Sequence, residues 1–123
     1  MSPVRHPVSG AALTFVIDDE LRTLREELGG TTARSARTLV KSGPLRVTLV
    51  GINPGGELRP HHAEGPITLQ VLEGEIDFRV EDQTSRLTAG TLFALEGGIT
   101  HGVRSEKGAV FLLTVVGAPE PTG

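Results

Sequence analysis

Two stretches of the sequence indicate the fold of this chain: GELRPHHAEGPITLQVLEG at residues 56–74 and GTLFALEGGITHGVRS at residues 90–105. In the first stretch, apolar and polar side chains alternate from Ile67 to Val71, which is the period of a strand with one buried face. In the second stretch, the glycine pair at residues 97–98 marks a turn that leads into another short strand. Both stretches therefore predict strands that are joined by glycine-rich turns.

Strands are also predicted elsewhere within these stretches and on both sides of them. Further strands are predicted at residues 37–42, 45–52, 76–80, 91–95, 99–104 and 109–116. Glu73 and Gly74 are predicted to close a hairpin before residues 76–80. No helical segment separates one strand from the next, and 16 glycines and 8 prolines supply the turns. Short strands at near-regular spacing predict an antiparallel sandwich or barrel.

One helix signal precedes the strands. Asp18 is placed to cap a helix, which carries an apolar stripe from Leu21 to Leu28 and ends at the glycines of residues 29–30. The length of 123 residues suits a single domain. We expect four parts in it: residues 1–14 as a tail or edge strand, 15–30 as a short helix, 31–118 as a β-barrel and 119–123 as a C-terminal tail.

Composition excludes several classes of function. The chain has no cysteine, which excludes disulfides, thiolate zinc sites, iron–sulfur clusters and a cysteine nucleophile. Its net charge of −3, with four Phe and neither Trp nor Tyr, argues against nucleic-acid and anionic-membrane partners. The apolar stretch at residues 8–17 is too short to span a bilayer and has no cleavage pattern. We expect a cytoplasmic protein.

Histidines are the residues that point to a binding or metal site. His101 shares its phase with Val103, so an inward Val103 implies an inward His101. His61 and His62 are adjacent, and adjacent strand residues point to opposite faces. Continuing the phase of the following strand backwards turns His61 inward, whereas a break in that phase at Pro66 would turn His62 inward. Both alternatives stay open at this point.

The two stretches resemble the paired signature motifs of the cupin superfamily, written G(X)5HXH(X)3-4E(X)6G and G(X)5PXG(X)2H(X)3N. The second stretch fits with its glycines and His101 in place, while Glu96 stands for the proline and Ser105 for the asparagine. The first stretch keeps its closing Gly74. The resemblance covers residues 37–117 and is strongest to short single-domain bacterial cupins. It implies an all-β fold, an antiparallel jelly-roll β-barrel (a double-stranded β-helix) with a short N-terminal α-helix, and no particular reaction.

The first motif departs from the family at its metal positions. In cupins that bind a metal, three histidines and one glutamate hold the ion. Counting back from the closing glycine, the resemblance places the glutamate at Ile67. It places the two histidines at His61 and Ala63, or at Pro60 and His62, depending on the motif spacing. Either way, one histidine is missing and an aliphatic side chain replaces the carboxylate.

Two other side chains are candidates for completing a ligand set. Glu64 shares the phase of His62 and would form a two-histidine, one-carboxylate set with His101. Gln70 offers an amide oxygen. We therefore expect either no metal or one divalent transition metal (Zn, Fe, Mn or Ni), held by His101 with His61 or His62. The predicted pocket residues are His61, His62, Ile67, Gln70 and His101.

These residues predict a small-molecule-binding or accessory cupin with an apolar barrel pocket and an incomplete metal site. The alternative is a metal-dependent enzyme of the dioxygenase or isomerase type with a non-standard ligand set. The strand at residues 109–116 is apolar in both phases, which predicts that a further layer or a second subunit covers its outer face. A homodimer is the expected assembly.

Overall fold

The computed structural model describes residues 7–29 and 34–117. Within these residues lie one helix, α1 (Ile17–Leu28), and eight strands: β1 (Arg34–Ser42), β2 (Leu45–Ile52), β3 (Glu57–His61), β4 (Ile67–Val80), β5 (Gln83–Thr88), β6 (Leu92–Leu95), β7 (His101–Arg104) and β8 (Ala109–Val116). This confirms the predicted all-β architecture with a short N-terminal helix. His6 and the predicted C-terminal tail at residues 119–123 lie outside the described residues.

The strands form one curled antiparallel sheet in the order β1-β2-β8-β4-β7-β3, with β5 and β6 also paired to β4. The long strand β4 connects the two halves of this sheet. Its first half pairs with β6 and β8, and its second half pairs with β5 and β7. The curled arrangement is that of a jelly-roll barrel, with an inner face that forms the core.

The predicted hairpin at Glu73 and Gly74 is wrong, because β4 runs through both residues. The pairing of β4 with β8 shifts by one residue between Val71 and Glu73, which bends the strand instead of reversing it. Gly74 has a φ of 74°, and a Cβ at this position would overlap the carbonyl oxygen of Gly108. The absence of a side chain at Gly74 therefore allows β4 to bend and continue from one half of the sheet into the other.

The helix begins two residues earlier than the predicted cap at Asp18 implied. Val16 precedes it with an extended backbone and makes no side-chain cap hydrogen bond, so the predicted cap at Asp18 is wrong. Asp18, Asp19 and Glu20 lie in the first turn, where negative charge stabilises the positive end of the helix dipole. No helix among residues 7–29 and 34–117 has the length and apolar character needed to cross a membrane.

Two apolar clusters hold the fold together. The inner cluster fills the barrel and includes Phe78 and Phe111, which are 1% and 0% exposed. The outer cluster joins α1 to the back of the sheet through Leu24 and Val110. Strand β8 therefore contributes alternate residues to both clusters, because Phe111 points inward and Val110 points toward α1. The helix supplies a covering layer for part of the outer face of β8.

Candidate functional site

A β-bulge in β3 positions the first site histidine. Leu58 is paired with Val103 and His61 with His101, so three steps along β3 correspond to two along β7. The extra residue makes a bulge, and Pro60, which lacks a backbone N–H, lies within it. Because of this bulge, Leu58 packs against the inner core while His61 faces His101.

His101 is the buried member of the site, with 5% of its surface exposed. Its Nδ1 lies 3.0 Å from the carbonyl oxygen of Ile99, and its ring stacks on Phe78 with 5.6 Å between centroids. Since a carbonyl only accepts hydrogen bonds, Nδ1 carries the proton and Nε2 keeps a free lone pair in the neutral ring. Burial lowers the pKa of His101, the bond to Ile99 opposes this effect, and the charges of His61 and His62 add to it.

His61 repeats this arrangement at the surface. Its Nδ1 lies 2.9 Å from the carbonyl oxygen of Arg59, two residues earlier, just as His101 bonds to Ile99. The centroids of the two imidazoles are 4.5 Å apart, and their planes are inclined by 57°. We call His61 and His101 the histidine pair. Each ring is oriented by a backbone carbonyl and presents Nε2 as an acceptor or metal ligand.

The structure decides between the two adjacent histidines of the first motif. His62 is exposed beyond the end of β3, and the ring contact with His101 is made by His61. The choice depends on the bulge at Pro60, which lies before the histidines, and not on a break after them at Pro66. In the family motif, His61 corresponds to the spacing whose other metal positions are Ala63 and Ile67.

Neither of the substitute ligands joins the histidine pair. Glu64 is exposed, and the described part of the chain holds no group of three or more His, Cys, Asp or Glu side chains placed to bind one metal ion. Gln70 is exposed between the buried Leu69 and Val71. Because strand side chains alternate, Gln70 lies on the outer face of β4, which corrects the expectation that it lines the interior.

The two remaining positions of the family's metal motif hold apolar side chains, and the structure places both of them in or against the core. Ile67 is 4% exposed and belongs to the inner core, and Ala63 packs against that core. Two imidazoles from different strands are thus the only members of the family ligand set among the described residues. They do not fit a three-histidine, one-glutamate centre, and two protein ligands fall below the three that catalytic zinc and non-haem iron sites use.

Two separate cavities adjoin these residues, where the sequence predicted one apolar pocket. The first is a polar cleft of about 800 Å³ that runs along β3 and includes His61. The second is an apolar cavity of about 280 Å³ that is lined by Ile67 and by residues of β6 and β8, without any histidine. Of these two cavities, one includes Ile67 and the other His61, because Ile67 lies against β6 and β8 whereas His61 lies on the edge strand β3.

Phe78 is a site residue that the sequence analysis did not single out. Its ring stacks on His101 and lies 4.8 Å from the ring of Phe93, so the barrel interior behind the histidine is filled with aromatic side chains. The available signal was its phase, since Phe78 alternates with Asp77 and Arg79 on an inward-facing strand. Its proximity to His101 depends on the pairing of β4 with β7, which periodicity does not specify.

Comparison with known proteins agrees with this architecture. Residues 48–117, more than half of the chain, match the family described as "Cupin domain". A conserved protein of unknown function from Streptococcus pyogenes has a TM-score of 0.66 and 25% identity, covering 71% of this chain and 76% of its own. A cupin superfamily protein from Desulfitobacterium hafniense has a TM-score of 0.67 and 15% identity, covering 69% and 78%.

An RmlC-like cupin from Shewanella frigidimarina has a TM-score of 0.66 and 24% identity, covering 72% of this chain and 79% of its own. The comparison with curated proteins gives no match. Both members of the histidine pair fall within the matched residues. The chain belongs to the cupin family.

Proposed function

We propose that this chain is a small-molecule-binding cupin whose ligand contacts the histidine pair, and that it does so without a tightly held catalytic metal. The observation that carries this proposal is the pairing of His61 with His101 at 4.5 Å between ring centroids. Both rings are oriented by backbone carbonyls, so their Nε2 atoms are available to a ligand. Such preorganised polar groups beside a cleft are typical of small-molecule sites.

The pair is asymmetric in a way that suits ligand binding. His101 is buried against Phe78 and its pKa is lowered, so its ring is neutral near pH 7 and accepts a hydrogen bond. His61 is exposed and opens onto the polar cleft of about 800 Å³. A ligand hydroxyl or amide entering from the cleft would meet His61 first and reach His101 second.

A metal-dependent enzyme of the dioxygenase or isomerase type is the competing function. It requires a third protein ligand, and the described residues hold no carboxylate or imidazole placed to share a metal ion with the pair. The two functions differ in a directly measurable quantity, the amount of metal that the folded protein retains.

Elemental analysis of protein purified without an affinity tag tests the proposal. The protein is equilibrated with Zn²⁺, Mn²⁺, Ni²⁺ or anaerobic Fe²⁺ and then desalted, in parallel with His101→Gln. We expect retained metal well below one equivalent and equal in both proteins. One equivalent that survives desalting and is lost in His101→Gln would overturn the metal-free proposal in favour of the enzyme.

A ligand screen by thermal shift tests whether a small molecule binds at the histidine pair. Compounds that stabilise the wild type should lose their effect in His61→Gln and in His101→Gln, and keep it in His62→Gln. His62 is the matched control because it is a neighbouring exposed histidine outside the pair. Equal stabilisation of all four proteins would place the ligand elsewhere and contradict the proposal.

The homodimer expected from β8 stays a prediction. The helix covers Val110, while Val116 and its cross-strand neighbour Leu45 remain 39% and 38% exposed. Light scattering on the purified protein distinguishes a 13.0 kDa monomer from a particle of twice that mass.

A further inference from the structure

We infer that the cleft along β3 binds small organic anions through Arg34 and Arg59. The inference rests on the proposed function, since it names the ligand class for the cleft that His61 lines.

The cleft lies where the two ends of the curled sheet approach each other. Strands β1 and β3 are the first and last strands of the sheet order, and they do not pair with each other. Arg34, at the start of β1, nevertheless lines the same cleft as β3. Gly55 and Gly56 line it as well and contribute no side chain, which leaves room for a ligand.

The charge of the cleft differs in sign from that of the chain. Two arginines and one carboxylate, that of Glu57, line the cleft, whereas the whole chain carries a net charge of −3. Glu57 faces Arg104 across the β3–β7 pairing, so a basic residue adjoins the one acid of the lining. An excess of positive charge in a concave site attracts anions.

Four other arginines of the described residues are already engaged, whereas Arg46, Arg79 and Arg104 form no ion pair there but do not line the cleft. Arg22, Arg25, Arg37 and Arg86 each form an ion pair with a carboxylate. Arg34 and Arg59 form no ion pair within the described part of the chain. A guanidinium has five N–H donors in a planar fork that matches a carboxylate or phosphate group. These two arginines therefore keep their donors for the anionic group of a ligand, while a hydroxyl or amide N–H of the same ligand can donate to Nε2 of His61.

Binding of matched charged and uncharged probes tests the inference. Succinate is compared with succinamide, and glycerol 3-phosphate with glycerol, by calorimetric titration at low salt. We expect at least one anion to bind at least about tenfold more tightly than its neutral partner, as guanidinium–carboxylate or guanidinium–phosphate contacts would require. The two anions separate a carboxylate from a phosphate preference.

Variants locate the bound anion. Arg34→Gln and Arg59→Gln should each weaken binding of that anion by about tenfold or more. Arg46→Gln is the matched control, because it removes the same charge from an exposed arginine of β2 that does not line the cleft. It should change the affinity by less than about twofold. Binding that is equal in wild type, Arg34→Gln and Arg59→Gln overturns the inference, as does the absence of binding by both anions.

NMR signals of the imidazole rings distinguish a failure of the anion-binding inference from a failure of the proposed function. Anion binding that requires the arginines and shifts the His61 signal supports both. Binding that requires the arginines but leaves the signals of the histidine pair unchanged supports the anion site and contradicts the proposed function. A neutral compound that shifts the histidine pair while both anions fail to bind overturns the anion inference and leaves the proposed function standing.

Discussion

Replacing His101 by glutamine should make the stability of this protein less sensitive to acid. His101 is 5% exposed, and burial lowers its pKa from the ordinary value of 6.5. The unfolded chain then binds a proton at a pH where the folded protein does not. Stability that is present above about pH 6.5 is therefore lost as the pH falls toward the pKa of the folded protein.

The size of the effect has a firm upper limit. One proton taken up by the unfolded state alone changes the free energy of unfolding by about 1.4 kcal/mol per pH unit. For a urea m-value of about 1–3 kcal/mol/M, this limit corresponds to a shift of the urea midpoint by about 0.5–1.4 M per pH unit. On β4, the side chains that face His101 are apolar: Phe78 stacks on its ring and Val80 lies opposite it. The charges that act on His101 therefore come from His61 and His62.

Urea unfolding at several pH values between 7.5 and 5 provides the assay. Wild type, His101→Gln and His62→Gln are compared, and carboxylates that titrate in this range affect all three proteins alike. His101→Gln should show a shallower dependence of the unfolding free energy on pH, while His62→Gln, which removes one of the charges that act on His101, should depart from the wild type less than His101→Gln does. An identical dependence in wild type and His101→Gln would refute the buried, neutral state of this ring.

Three further predictions concern packing and metal binding. Phe111→Ala, at a position with 0% exposure in the inner core, should lower the free energy of unfolding by about 3–5 kcal/mol in urea titrations. Gly65→Ala should lower it by about 1–3 kcal/mol, because a Cβ there would overlap the carbonyl oxygen of Val116. Ala63→His should add a third imidazole near the histidine pair, so the variant should retain more zinc than the wild type in elemental analysis.

Each of these predictions has a matched control. Leu92→Ala, at a position with 64% exposure, should change stability by less than about 0.5 kcal/mol, and a cost equal to that of Phe111→Ala would contradict the assignment of the core. Gly117→Ala meets its nearest atom at 3.6 Å and should be tolerated better than Gly65→Ala. Equal zinc retention by Ala63→His and wild type would show that position 63 does not approach the pair.

The sequence was informative where periodicity is strong. Alternation in residues 45–52 and a continuous apolar run at residues 109–116 predicted β2 and β8 with the bounds that the structure has. Strand β5 was missed because Leu87 is its one buried residue. A polar strand of this kind forms through its pairing with β4, which a local pattern does not reveal.

The site was harder to predict because it depends on register. A single extra residue in β3 determines which of two adjacent histidines faces His101, and a shift of one residue exchanges the faces of a strand. The inward direction of His101 could be inferred, since Val103 two residues later is a core residue. The approach of Arg34 to β3 follows from the closing of the whole sheet and has no local signal in the sequence.

The tautomers of the two imidazoles determine whether Nε2 of each ring is free to accept a hydrogen bond from a ligand. Long-range ¹H–¹⁵N correlation spectra at pH 7.5 report which ring nitrogen carries the proton in each histidine. Because Nδ1 of His61 and of His101 faces a backbone carbonyl, both rings should be protonated at Nδ1 and unprotonated at Nε2. A proton on Nε2 of either ring would contradict the account, since that atom would no longer be a free acceptor for a ligand.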